Sequence, residues 1–227
     1  MRTTLVLLAL TGLATFCSAQ TASSKQTAAI STVSVAGCGS NSTSSLLPCV
    51  SDWVNLTPPL TVKTSNSTSL FVDVSSVIGL YTSTQVKGNN TGATSSATAQ
   101  AGVRVRVLLD GAIYAFPDAT GSGITFDNRV QTLTANLGNI FTSACALSPN
   151  TCTLTPEQIT FILDTSSAHS FNFVLLSVGS GTHTVQIQVQ SDTQSTASTG
   201  GVAISNAAYG PASVTIDVVR LVHDFSF

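Results

Sequence analysis

The chain has 227 residues, a formal net charge of −2 and only 8% charged residues. Such sparse, unclustered cations exclude a nucleic-acid partner, because a phosphate backbone needs a concentrated basic surface. Polarity rests instead on hydroxyls and amides, and a 43% hydrophobic fraction is ample for a buried core.

Residues 1–19, MRTTLVLLALTGLATFCSA, read as a secretory signal peptide. Arg2 supplies the positive end, Leu5 to Leu13 the apolar core, and Cys17-Ser18-Ala19 the small-residue cleavage site. The apolar run is too short to span a bilayer comfortably, and no later segment is apolar enough to span one. The expected localisation is secreted, or extracellular.

Once Cys17 leaves with the leader, Cys38, Cys49, Cys145 and Cys152 remain. Four thiols on an exported chain suggest two disulfides, with three connectivities open. The local pairs are favoured, Cys38 with Cys49 and Cys145 with Cys152, since each brackets a turn-rich segment. The spacings match no common zinc pattern, so neither a metal nor another cofactor is expected.

Residues 20–59 form a Ser/Thr-rich N-terminal segment with a disulfide loop. Ile30, Val33 and Val35 suit a short strand, or else a mostly irregular leader tied down by the disulfide. Pro58-Pro59 cannot lie inside a central strand, which puts the start of a β-sandwich domain at residue 60, running to 227. Leu60 and Val62 open a strand. Leu70, Val72 and Val74 alternate in the next, with a continuation past a bend at Gly79. A long run then places Ala97, Ala99, Ala101, Val103, Val105, Val107 and Leu109 on one face, small at one end and large at the other. Asp110-Gly111 supplies a turn, with a return strand from Ile113 to Phe116. Ile124 to Phe126 and Val130 to Leu137 read as two further strands.

Thr155-Pro156-Glu157 carries a helix-start signal, but the alternation of Ile159, Phe161 and Leu163 favours a strand. The strongest local pattern follows, from His169 to Gln190. Phe171 and Phe173 lead into an apolar run, Gly179-Ser180-Gly181 interrupts, and Val185, Ile187 and Val189 alternate with Gln186, Gln188 and Gln190. Two period-2 runs around a Gly-rich break predict a β-hairpin. Val202 and Ile204 suit a short strand. Val214, Ile216 and Val218 follow on another, with a change of face at Val218-Val219 that suggests a β-bulge or a strand buried on both sides. The predicted class is all-β: an antiparallel, jelly-roll-like β-sandwich with disulfide-tied loops.

The segments GSGTHTVQIQVQ and SVTIDVVRLV resemble the last strands of C1q/TNF-like jelly-roll domains, and of bacterial exported β-sandwich proteins of unassigned role. The resemblance spans about residues 160–223 and implies a homo-oligomer, a trimer in the C1q/TNF case. The C-terminal HDFSF departs from the aromatic, glycine-rich strand that builds that trimer axis. No ligand-binding residue carries over.

Catalytic patterns are thin. Glu157 is the single glutamate, which excludes a two-glutamate glycosidase mechanism and leaves only aspartate pairs such as Asp110 with Asp118 or Asp127. No G-x-S-x-G elbow occurs. Ser180 lies three residues from His183 in a glycine-flanked turn, and His169 could approach His183 across the hairpin end. Arg104 and Arg106 share a strand face; their guanidinium forks suit carboxylates, although arginines there also serve to cover Leu108 and pair with aspartates. Tyr81, Tyr114, Tyr209 and Trp53 are the aromatics available for stacking on a sugar. Sequons at Asn41, Asn55, Asn66 and Asn89 are acceptor sites for N-glycans in a eukaryotic secretory route.

The sequence therefore points to a secreted non-enzymatic sandwich that acts by extracellular binding or assembly with a protein or glycan. A carbohydrate-binding or carbohydrate-active domain is the alternative. Arg104, Arg106, Ser180, His183, Gln186 and Gln188 form the expected contact surface, with the glutamine face wet.

Overall fold

The computed structural model describes residues 25–31, 39–43, 47–65, 68–88, 94–113, 118, 121–136 and 157–220. These residues form twelve strands and no helix, and every ladder between them is antiparallel.

Sheet one runs β1 (Lys25–Ser31), β12 (Gly201–Val219), β6 (Thr68–Lys87), β10 (Gln158–Val178), with β2 (Gly39–Ser42) also pairing to β12. In sheet two, β11 (Gly181–Ala197) pairs with β7 (Ser95–Leu109) and also carries three short strands. These are β3 (Leu47–Val50), β4 (Val54–Asn55) and β5 (Leu60–Thr64). Beyond β7 lie β8 (Ala112–Ile113) and β9 (Ile124–Ala135). The strands that precede Pro58-Pro59 thus pair into both sheets.

Period-2 alternation explains how the two sheets face each other. In β7 every second residue from Ala97 to Val107 is buried, and in β11 so are Val185, Ile187 and Val189. Leu70, Val72, Val74, Phe173, Leu175, Val214 and Ile216 answer from sheet one, making a sandwich with one main core. At the other end the core thins to Val86, Ala97, Ala99, Ala197 and Ala203. Small side chains let the sheets approach there, as the gradient in β7 predicts. Hydroxyls fill the same layer: Ser195 and Ser205 hydrogen-bond across it at 3.0 Å.

Several local readings are corrected. The predicted hairpin at 169–190 does not form: β10 pairs with β6 in sheet one, and β11 pairs with β7 in sheet two. Gly179-Ser180 is a corner between layers. Two strands facing each other across a core show the same alternation as two paired strands, so the local pattern fits both. The chain does not bend out of the sheet at Gly79; β6 continues through it, paired on both sides.

The change of buried face near the C-terminus comes at Gly210-Pro211, not at Val218-Val219. There β12 sets two residues, Gly210 and Pro211, against the single Val77 of β6, one extra residue between the pairs Tyr209–Ile78 and Ala212–Ser76. Burial falls on Ala203, Ala207 and Tyr209 before that point, and on Ala212, Val214 and Ile216 after it. The two strands read in 124–137 are one, β9, with an irregularity opposite Val103 and Arg104. Asp110-Gly111 is a tight turn as predicted, with φ of 51° and 81°. Its return strand extends over Ala112–Ile113, and residues 114–117 lie outside the described residues.

Candidate functional site

The predicted contact residues separate into two places. The first is the outer face of sheet two, where β7 and β11 bring Arg106 opposite Gln188 and Arg104 opposite Gln190. Arg106 donates from Nε to Gln188 Oε1 at 2.9 Å and from Nη1 to the Gly121 carbonyl at 3.4 Å. Its guanidinium carbon lies 4.2 Å above the Trp53 ring centroid, a cation–π stack. Burial lowers the Arg106 pKa, and the nearby Asp118 charge opposes that shift. Asp118 is itself buried and accepts from the Gly123 amide at 2.9 Å.

Arg106 therefore links Trp53, Gln188 and the Gly121 carbonyl. Arg104 pairs with Asp192 at 3.5 Å. Gln188 also donates to Asn55 Oδ1 at 3.3 Å, and Gln190 to the Ser51 carbonyl at 2.9 Å. Gln186, Gln188 and Gln190 are half-buried, not fully wet. The short strands β4 and β5, laid along β11, account for part of their cover.

The second place is the end of the sandwich where β11 begins. His183 Nδ1 lies 2.8 Å from Asp110 Oδ2, and Nε2 lies 3.1 Å from the Gly179 carbonyl oxygen. Asp110 Oδ1 accepts from the Thr184 amide at 2.8 Å. That amide bond is the main reason the Asp110 pKa is lowered, followed by the His183 hydrogen bond. The same Asp110 hydrogen bond raises the His183 pKa, against a smaller opposing effect of burial. Ser180 is exposed on the corner, and both nitrogens of His183 face other atoms.

His169 and His183 do not meet, since they belong to different sheets. His169 instead lies in a polar seam that sequence reading missed, between β9 and β10. Its Nε2 is 2.6 Å from Ser167 Oγ and 3.3 Å from Asp127 Oδ2. A Ser-His-Asp relay needs hydroxyl and carboxylate on opposite ring nitrogens. Here both approach the same one, so the trio cannot pass a proton from serine to aspartate.

Arg129 continues the seam, donating from Nη1 to the carbonyls of Leu80 and Leu163 at 3.0 Å each and from Nη2 to Thr165 Oγ1. Gln131 follows it, bonded to Thr82, Thr84 and the Phe161 carbonyl. The signal was present as the alternation Asp127, Arg129, Gln131. Polarity alone assigns that face to solvent, the reverse of where it lies.

The three aspartates considered for paired-carboxylate chemistry have separate engagements, Asp110 with His183, Asp118 with Gly123 and Asp127 with His169. Tyr209 is buried in the core and Tyr81 is half-buried, while Tyr114 lies outside the described residues. So do Cys38, Cys145, Cys152, Asn66 and Asn89. Asn41 falls in β2 and Asn55 in β4.

No protein-family model matches the chain, and no curated protein does. Among solved structures, the chain is similar to a chain of infectious bursal disease virus Gx strain, at 10% identity and TM-score 0.13, over 86% of this chain and 40% of that one. The VP2 subviral particle of infectious bursal disease virus gives 10% identity and TM-score 0.14, over 87% and 41%. The chain spans about two fifths of the length of these virus chains, and likeness at this level carries no argument.

Proposed function

We propose that the protein is an exported, non-enzymatic jelly-roll domain that works outside the cell by binding or assembly, through the margin formed by β9 and β10. The strand order supports the jelly-roll reading. Strands β1-β12-β6-β10 face β5-β11-β7-β9, and the chain changes sheet at β2→β3, β5→β6, β6→β7, β9→β10, β10→β11 and β11→β12. That winding is the one two interleaved Greek keys produce. The leader sequence supports export, as does Cys49, which is disulfide-bonded. Cys38 is its proposed partner, with Cys145 and Cys152 forming the second bridge.

The exposed apolar margin carries the functional reading. Val130 on β9 is 58% exposed and Ile162 on β10 is 54% exposed, with Ile159 and Phe161 nearly as open. Edge strands of monomers are commonly blunted by Lys, Pro or bulges. The first eleven residues of β10, QITFILDTSSA, contain neither Lys nor Pro, one charge at Asp164, and no irregularity in their pairing to β6. Apolar side chains on such an edge suit a partner surface.

Light scattering after size exclusion, run beside a glycan array, tests this. Stable self-association, or capture of a protein ligand, that Phe161→Lys with Ile162→Lys abolishes is the expected result. A monomer whose binding is confined to glycans, and survives that double substitution, overturns it.

The carbohydrate reading has one specific observation in its favour, the half-exposed Trp53 stacked with Arg106 among Gln188 and Asn55. Glycan binding lost in Trp53→Ala would select it.

A further inference from the structure

His183 stands where three segments meet: the corner between β10 and β11, the turn after β7, and the end of β5. Its two ring nitrogens face the Asp110 carboxylate and the Gly179 carbonyl. Both partners are acceptors. A neutral imidazole has one N–H and one lone pair, so it satisfies one acceptor and turns a lone pair on the other; the imidazolium satisfies both. We propose that His183 is a proton-operated clasp, which when charged ties the sheet-crossing corner at Gly179 to the Asp110-Gly111 turn and when neutral lets the corner go.

The surroundings define what opens. The carboxylate retains the proton on Nδ1, because that bond is charge-assisted, so deprotonation removes the donor facing Gly179. Thr64 Oγ1, at the end of β5, also donates to the Gly179 carbonyl, which leaves the released carbonyl a partner. Ser177, two residues earlier, holds φ at +53°, a strained setting for a non-glycine residue. Gly179 and Ser180 are exposed. The corner is thus the weakly held part of this end.

Charged groups on the packed elements are few. Asp110 faces the ring from the turn. On β5, buried Val62 lies opposite His183, while Lys63 pairs with Thr182 and points to the outer face. The His183 side chain is 16% exposed and that of Asp110 51%, so the pair lies at the surface with the ring as its sheltered half.

The direction with pH follows. His183 has a raised pKa, so its contribution is complete below the ordinary imidazole value and is lost as pH rises through the raised one. Asp110 has a lowered pKa, so its contribution is complete above the ordinary carboxylate value and is lost as pH falls through the lowered one. The clasp is closed in mildly acidic solution and opens toward alkaline pH.

Amide hydrogen exchange on the full chain, corrected for the intrinsic pH dependence of exchange, tests the clasp in peptides covering residues 176–184. In the wild type, exchange there should rise about tenfold or more as His183 loses its proton, the effect of one hydrogen bond to a charged group. His183→Gln should exchange at a level independent of pH, and Asp110→Asn should move the transition to lower pH. Proton NMR of the His183 ring should give a midpoint above 6.5, the ordinary imidazole value. A wild-type pH profile retained in His183→Gln, or a ring midpoint at or below that value, overturns the proposal. If His183→Gln does not fold, the NMR midpoint and Asp110→Asn decide.

Discussion

Gln131 on β9 donates its amide nitrogen to the Phe161 carbonyl of β10 at 2.7 Å, so one side chain spans from sheet two to the edge strand of sheet one. The same nitrogen donates to Thr84 Oγ1 at 2.7 Å, and its oxygen accepts from Thr82 Oγ1 at 2.7 Å. Both threonines are fully buried, so removing the amide leaves their hydroxyls short of partners.

Gln131→Leu should therefore destabilise the fold by about 2–4 kcal/mol, the cost of two or so buried groups left unsatisfied. Adding Thr82→Val and Thr84→Val should recover part of that loss, because the orphaned groups are then gone. Urea unfolding of the single and combined variants measures the coupling. Strictly additive losses would show that the three side chains do not act together.

Gly123 is held at φ +80°, and a Cβ there would lie 2.5 Å from the Trp53 ring and 3.2 Å from the Val105 carbonyl. Gly111 has nearly the same φ, +81°, with open space around it. Gly111→Ala should thus cost about 1 kcal/mol of backbone strain. Gly123→Ala should cost more, about 2–4 kcal/mol, because a rigid ring must move as well. Trp53 is the only tryptophan, so its fluorescence should shift in Gly123→Ala and stay put in Gly111→Ala. Equal losses with unchanged emission would contradict the packing of Trp53 against the loop.

On the glutamine face, position should decide tolerance. Gln188 accepts from Arg106 and donates to Asn55, so Gln188→Lys removes both contacts and sets an ammonium beside a guanidinium. A loss of about 1 kcal/mol is expected. Gln186, in register with Leu108, should tolerate lysine within about 0.5 kcal/mol. Thermal unfolding of the two variants separates them; equal melting temperatures would discount the Arg106–Gln188 contact.

The acid side of the pH profile isolates Asp110. Its two oxygens accept from the Thr184 amide and from His183, which is why its pKa is lowered. Wild type should exceed Asp110→Asn in stability above the ordinary carboxylate pKa, and the gap should close as pH falls through the lowered value. Urea midpoints taken from pH 2 to 7 test this, and a gap that persists at the acid end would argue against the assignment.

Val130 and Gln131 show how far local pattern reaches. Hydropathy alone turns Val130 inward and Gln131 outward, whereas Val130 is exposed and Gln131 is buried. The face of β9 is decided by its register on β7 and by the seam it makes with β6 and β10, none of which lies nearby in sequence. The Arg106 stack was half legible for a related reason. Its strand face could be read from the alternation in β7, but its partner Trp53 lies more than fifty residues away. The Asp110–His183 pair joins a recognisable turn to a strand start 73 residues later, so each half was visible and the pairing was not.

By itself the sequence determined the all-β class, the buried faces of β7 and β11, the turn at Asp110-Gly111 and the gradient from a thin end to a wide core. All of these follow from period-2 alternation, turn chemistry and side-chain size, which act between near neighbours. Only the tertiary structure decided that β10 and β11 lie in opposite sheets, that Gly179-Ser180 is a corner and not a hairpin tip, and that Asp127, Arg129 and Gln131 face inward. Strand partners are chosen by contacts distant in sequence, and alternation looks the same whether a strand's neighbour lies beside it or across the core.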